Sequence, residues 1–166
     1  MIMGPMKWYE VAVALQQAVF AGLSVKPQRA GVVPGAIAWD ECDCGMLAVS
    51  LNQVYMSEIF PNPAGQKVGA CDAPYEVGEF VIQIVRCAPN PVSLEQPAPS
   101  VLDLDASAKE VLLDAYELLR SASTELCQMK ADREISDFFL RPLTAQGPLG
   151  GCVGNELRVL VSLPRN

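Results

Sequence analysis

The chain reads as an α+β domain, a small and mainly antiparallel sheet with two amphipathic helices packed on one face. Two stretches place apolar residues at three- and four-residue steps, as a helix with one buried side requires. Three others alternate apolar and polar, as half-buried strands do. Their order, helix, hairpin, helix, strand, lets the helices cover a single sheet face. With 166 residues, 51% of them hydrophobic and 19% charged, the chain can bury a core of its own and is expected to form one domain over 1–166.

The first helix is expected from about Pro5 to Leu23. Trp8, Val11, Ala12, Leu15, Val19 and Phe20 share a side, Lys7, Glu10, Gln16 and Gln17 take the other, and Gly22 marks a stop. Residues 24–35 show neither period, and their prolines and glycines read as a connector. From Met46 to Tyr55 the pattern alternates, with Leu47, Val49, Leu51 and Tyr55 on one side and Ser50 and Asn52 on the other; the polar side is expected to be wet or to meet a partner. A loop of about 20 residues over 56–76 carries Pro61, Pro63, Gly65, Gly69 and Pro74. That length is unusual in a compact domain without a binding or assembly role.

A second strand over Val77–Cys87, with Phe80, Ile82 and Ile84 on one face, completes an antiparallel hairpin. The proline-rich stretch within a second long loop, at about 88–104, lacks the N–H groups that a central strand needs and reads as a crossover. A long helix follows from about Ala106 to Met129, capped by Ser107 with Glu110 in a capping box, or by Asp105. Its expected core stripe is Val111, Leu112, Ala115, Leu118, Leu119, Ala122 and Leu126. Residues 130–149 give no settled pattern. Leu157, Val159, Val161 and Leu163 then alternate in a final strand after the glycine-rich turn at 150–154.

The chain has no histidine, which removes Ser-His and Cys-His nucleophile pairs, His-ligated zinc and imidazole relays. Nineteen acidic against twelve basic residues give a net charge of −7 and a pI near 4.5, the wrong sign for affinity built on phosphate neutralisation. No run reaches the roughly 18 apolar residues of a membrane span. The polar interruptions at Trp8–Glu10 and Gln16–Gln17 do not suit a secretory signal, so a soluble, cytosol-made protein is expected.

Six cysteines invite a metal reading. Cys42, Cys44, Cys87 and Cys152 supply the ligand types of an all-sulfur zinc site, and a hairpin would bring Cys44, Cys87 and Cys152 to one end of the sheet. The spacing Cys-x-x-Cys is absent, which disfavours both zinc and a thioredoxin-like pair. Reduced thiols are favoured by cytosolic synthesis, with a disulfide of Cys42 or Cys44 to Cys87 or Cys152 as the alternative outside the cell. Cys127 reads as a small buried hydrophobe. Asp40, Glu41 and Asp43 lack calcium-loop spacing. The glycines at 147, 150, 151 and 154 precede a strand and do not open a helix, so they read as turn residues and not as a phosphate cradle.

The run Pro34-Gly-Ala-Ile-Ala-Trp-Asp-Glu-Cys-Asp-Cys-Gly-Met-Leu-Ala-Val49, with Phe60-Pro61, Cys71-Asp-Ala-Pro74, Val85-Arg-Cys-Ala-Pro89 and Gly150-Gly-Cys-Val-Gly154, resembles head–tail connection proteins of long-tailed phages (siphoviruses) infecting actinobacteria. The order of elements is similar to that of the tail terminator in particular. The resemblance implies a structural virion protein of the neck, assembled in the bacterial host cytoplasm. It implies a homo-oligomeric ring, hexameric in that family, that caps the tail tube, ends tube polymerisation and joins the tail to the head-completion proteins. The implied partners are the tail tube protein and the head–tail stopper protein, with genomic DNA passing through the channel without specific binding and no membrane contact. No catalytic residue, metal or cofactor is implied. The alternatives are a stopper or adaptor of the same connector and, from another class, a thiol/redox or zinc-binding protein.

Overall fold

The computed structural model describes residues 6–37, 45–64, 73–89 and 98–164. Helix α1 (Lys7–Gly22) buries Val11, Ala12, Leu15 and Val19, the side that the 3.6-residue period assigns to the core. Gly22 is its last residue and also a point of close approach. A Cβ there would stand 1.9 Å from the Ser121 Oγ of the second helix, so the residue serves contact between helices as well as chain termination.

The connector expected over 24–35 contains a strand, β1 (Arg29–Val32), paired in parallel with β2 (Met46–Ser57). Four residues with a glycine among them are too few to show a period, and only the neighbouring strand makes them extended. β2 pairs antiparallel with β3 (Tyr75–Cys87) as the hairpin reading requires, but the register shifts between Leu51 and Gln53. One extra residue in a strand exchanges its faces. Leu47, Val49 and Leu51 therefore face the helices, while Tyr55, opposite Val77, lies on the far face, contrary to the unbroken alternation expected.

Helix α2 (Val101–Ala131) begins five residues earlier than expected. Its N-cap is Ser100, whose hydroxyl accepts from the Asp103 amide at 3.1 Å, and neither Ser107 nor Asp105 caps it. Its buried residues are Asp114, Leu118, Ala122, Leu126 and Met129, a stripe at steps of four and three. Leu112 and Leu119, expected in the core, are instead 70% and 42% exposed. The helix is apolar on more than one side, and only one side can meet the sheet. Cys127 is exposed as well.

The unsettled stretch after α2 forms β4 (Asp137–Leu140) and β5 (Thr144–Leu149), both antiparallel to β6 (Cys152–Pro164). The six strands make one open, mostly antiparallel sheet in the order β1-β2-β3-β6-β4, with β5 continuing along β6. Helices α1 and α2 pack on each other, α1 against β1, β2 and β3 and α2 against β6 and β4. Phe80, Ile82, Ile84, Leu157, Val159 and Val161 form the sheet's side of the core, all fully buried. Trp8 lies over Gly78, where any side chain would strike the indole, and its ring meets Phe80 at a centroid distance of 5.9 Å.

The middle of the far face is not wet. Ser50, Glu79, Val81, Gln83, Val85, Leu160 and Ser162 are all buried, and residues 34–36 line a cavity of about 230 Å³ over it, together with Ser50, Asn52, Gln83, Glu156 and Arg158. The edges are short or blunted: β1 has four residues, and on β4 the Asp137 carboxylate accepts from the Phe138 amide at 2.9 Å.

Two leucines on one helix test this packing. Leu118→Ala should lower unfolding free energy by about 2–5 kcal/mol, and Leu112→Ala should change it by no more than about 0.5 kcal/mol, both read by urea denaturation of the dilute protein.

Candidate assembly surface and the residues that hold it

Sequence alternation places residue 86 on the helix side of β3, in line with Phe80, Ile82 and Ile84, and that residue is arginine. Its charge is met inside the fold. Arg86 Nε and Nη2 donate to Asp114 Oδ2 and Oδ1 at 2.8 and 2.9 Å, and Nη2 also donates to the Val25 carbonyl at 2.7 Å. Glu110 Oε1 lies 3.5 Å from Nε. The side chains of Arg86 and Asp114 are 6% and 2% exposed. Burial works against the charged guanidinium, but the Asp114 hydrogen bonds and the Asp114, Glu110 and Glu117 charges outweigh it and raise the Arg86 pKa. A bidentate pair of this kind fixes direction as well as distance, so α2 is held to β3 in one rotational setting. Nearby, Asn155 of β6 donates to the Val111 carbonyl at 2.8 Å.

That setting turns one side of α2 outward. Leu102, Leu112, Leu113, Tyr116 and Leu119 are between 41% and 81% exposed. Residues 101–106 at the start of the helix are all exposed. Charges of both signs border this apolar surface: Lys109 pairs with Asp105 at 2.8 Å, and Arg120 Nη1 donates to the Tyr116 hydroxyl at 2.9 Å. Beside it, Ala18, Gly22, Tyr116, Glu117, Arg120, Ser121, Thr124 and Glu125 line an open groove of about 410 Å³ between the helices. The Ser24 hydroxyl and amide donate to Glu117, and the hydroxyl's bond, ahead of the opposing effect of burial, holds that carboxyl below its usual range. Burial, aided by the Glu134 and Asp132 charges, pushes the Glu125 carboxyl up.

On the far face, Glu79 is 3% exposed. It accepts from Asn52 Nδ2 at 2.8 Å and Gln53 Nε2 at 2.9 Å, with Arg141 Nε at 3.3 Å. Glu156 accepts from Gln83 Nε2 and Arg158 Nε at 3.0 and 2.8 Å. These carboxylates are satisfied by amides and guanidinium groups and are held as structural pairs. Tyr55 donates to the Pro61 carbonyl at 2.6 Å and Ser57 to the Asn62 carbonyl at 2.6 Å. Those bonds fold residues 58–64 of the expected 56–76 loop into a tight turn at the end of β2, with Ile59 73% exposed. The remainder of that loop, 65–72, lies outside the described residues.

Of the four cysteines singled out by sequence, Cys87 and Cys152 are brought together as direct partners in the β3–β6 ladder. Cys42 and Cys44, with Asp40, Glu41 and Asp43, lie outside the described residues. Among the described residues no group of three or more Cys, Asp and Glu side chains is arranged to hold a metal ion. Gly150 and Gly151 form the β5–β6 turn with positive φ, as read, whereas Gly147 lies within β5 at its register shift and Gly154 within β6, where a Cβ would strike the Ile84 carbonyl. Among the described residues no helix is long and apolar enough to cross a membrane.

Sequence reasoning missed Arg86, Asp114 and Glu79. Two of them carried a signal: Arg86 sits at the inward parity of an apolar strand, and Asp114 falls four residues before Leu118 in the buried stripe. Glu79 sits on the alternate side, which sequence alone assigns to solvent.

No protein-family model matches the chain, and no curated protein sequence matches it. Among solved structures, the chain is similar over its full length to the sheath/tube terminator of an extracellular contractile injection system, PVC, in the extended state. The identity is 9% and the TM-score 0.42. The chain spans 58% of that protein's length. A likeness at that level identifies neither a family nor a function.

Two outcomes follow from the charges around α2. Asp114→Ala should destabilise the fold by about 3–5 kcal/mol by leaving Arg86 buried without its partner, and adding Arg86→Met should recover most of that loss, measured as a double-mutant cycle in urea. The raised Glu125 carboxyl favours the folded state when protonated, a contribution present at low pH and lost as pH rises through its folded pKa. Glu125→Gln should therefore be more stable than the parent at neutral pH, and the gap should close on acidification below the ordinary carboxylate range, read from thermal midpoints.

Proposed function

We propose that this chain is a tail terminator of a long-tailed phage, a virion subunit that assembles into a hexameric ring on the end of the tail tube. In that role it ends tube polymerisation and presents a surface to the head-completion proteins, the stopper first among them. The observation that carries the reading is the outward side of α2, where Leu112, Tyr116 and Leu119 stand exposed although Arg86 and Asp114 fix the helix in place. A stable apolar surface that the subunit's own core does not use is the usual mark of a protein contact.

Ring closure needs a heterologous interface, one patch meeting a different patch on the next copy. Exposed apolar residues of different origin are available at two separate points along β6, Phe139 of β4 opposite Leu160 and Leu149 of β5 opposite Cys152, 45% and 54% exposed. The motif run around Trp39 to Gly45 and the order of helices and strands add the likeness to connector proteins described from the sequence. The net charge of −7 suits a ring through which DNA slides without being held.

A stopper or adaptor is the second reading. An adaptor is expected to be mostly helical and a stopper a small β-barrel, whereas an open six-stranded sheet with two helices favours the terminator. Light scattering on a sizing column, followed by negative-stain imaging with and without purified tail tubes, tests the proposal. Rings in solution or at tube ends are expected from the parent. Leu112→Asp should keep the parent's circular dichroism but remain monomeric. A parent protein that is monomeric and indifferent to tubes overturns the terminator reading, and a Leu112→Asp variant that assembles normally overturns the α2 interface.

A further inference from the structure

We propose that Cys87 and Cys152 are an oxidisable cross-strand pair, converted by a small-molecule disulfide into an internal disulfide that staples the end of the β3–β6 ladder. The inference does not depend on the terminator reading. It begins from register: Cys87 of β3 and Cys152 of β6 are Cα partners in an unshifted antiparallel ladder. The next pair along is Ala88 and Gly151, and the Ala88 amide donates to the Gly151 carbonyl at 2.7 Å.

Hydrogen-bonded and non-hydrogen-bonded pairs alternate in such a ladder, so Cys87 and Cys152 occupy a non-hydrogen-bonded site. There the Cα atoms stand about 4.5 Å apart and the side chains approach most closely. That spacing lies within the range a disulfide spans. Residues directly opposed point to the same side of a sheet, here the face away from the helices.

The two thiols differ in access, and the difference sets the order of events. Cys87 is exposed, whereas Cys152 is buried, with its Sγ 3.8 Å from the Gly150 carbonyl oxygen. The Cys87 thiolate attacks one sulfur of glutathione disulfide, forming a mixed disulfide and releasing one glutathione thiolate. Cys152 then loses its proton to solvent and attacks the Cys87 sulfur, displacing the second glutathione thiolate. The protein gives up two electrons and two protons, and glutathione disulfide becomes two glutathiones.

Cys127, exposed on α2, is a control for access without a partner across a ladder. The pair also narrows the cysteine set read from the sequence, since register alone joins these two.

Full-length protein is incubated with glutathione disulfide, its remaining thiols are alkylated under denaturing conditions, and tryptic peptides are mapped by mass spectrometry. Trypsin places Cys87, Cys152 and Cys127 on separate peptides. A reducible peptide pair joining Cys87 to Cys152 is expected, and in Cys87→Ser, an exposed and isosteric change, Cys152 should remain alkylatable. Cys152 still alkylated in the parent, a glutathione adduct persisting on Cys87, or either cysteine joined to a different one overturns the proposal.

Discussion

A buried arginine needs a partner, and the rest of this structure is arranged around that need. Arg86 enters the core side of β3 between apolar neighbours, and leaving its charge unpaired there would cost several kcal/mol. Asp114 meets it with both carboxylate oxygens, and the Val25 carbonyl takes a further guanidinium N–H. One side chain thereby ties together β3, α2 and the segment joining α1 to β1. Hydrophobic packing of Leu118, Ala122 and Leu126 supplies most of the favourable free energy of docking α2. It leaves rotation and sliding of a leucine-rich helix weakly specified, whereas a bidentate ion pair tolerates little of either.

Once α2 is fixed, the distribution of its remaining leucines acquires meaning. A helix free to choose would bury the side that carries Leu112 and Leu119 as readily as the side that carries Leu118 and Leu126. Arg86 selects the latter, and the former is left facing outward beside an open groove. The same constraint sets the character of that surface, with Arg120 bonded to Tyr116 and Lys109 paired with Asp105. An apolar patch bordered by polar and charged side chains is the anatomy of a protein–protein contact, which is the role proposed for it.

Both helices, the hairpin and the last strand were legible in the sequence, since each has a period long enough to count. Phe80, Ile82, Ile84, Leu157, Val159 and Val161 alternate without interruption, and their burial follows the pattern. Four features were hidden for separate physical reasons. β1 is too short to have a period. The bulge at Asn52 reverses the faces of β2, and no residue type marks it. β4 and β5 gain their extended form from pairing with β6. On α2, periodicity offered more than one apolar side, and the charge at Asp114 that decides between them has meaning only beside Arg86. At the level of the site, the cysteine pattern brought Cys87 and Cys152 into view, but their pairing came from ladder register.

The central claim is that the outward side of α2 is an interface between copies of this chain in a ring on the tail tube. Cryo-electron microscopy of purified tail tubes incubated with the protein addresses it most directly. The account predicts a closed ring at tube ends in which Leu112 and Tyr116 of each subunit are buried against its neighbour. Bare tube ends, or a ring whose α2 side faces solvent in every subunit, would contradict it.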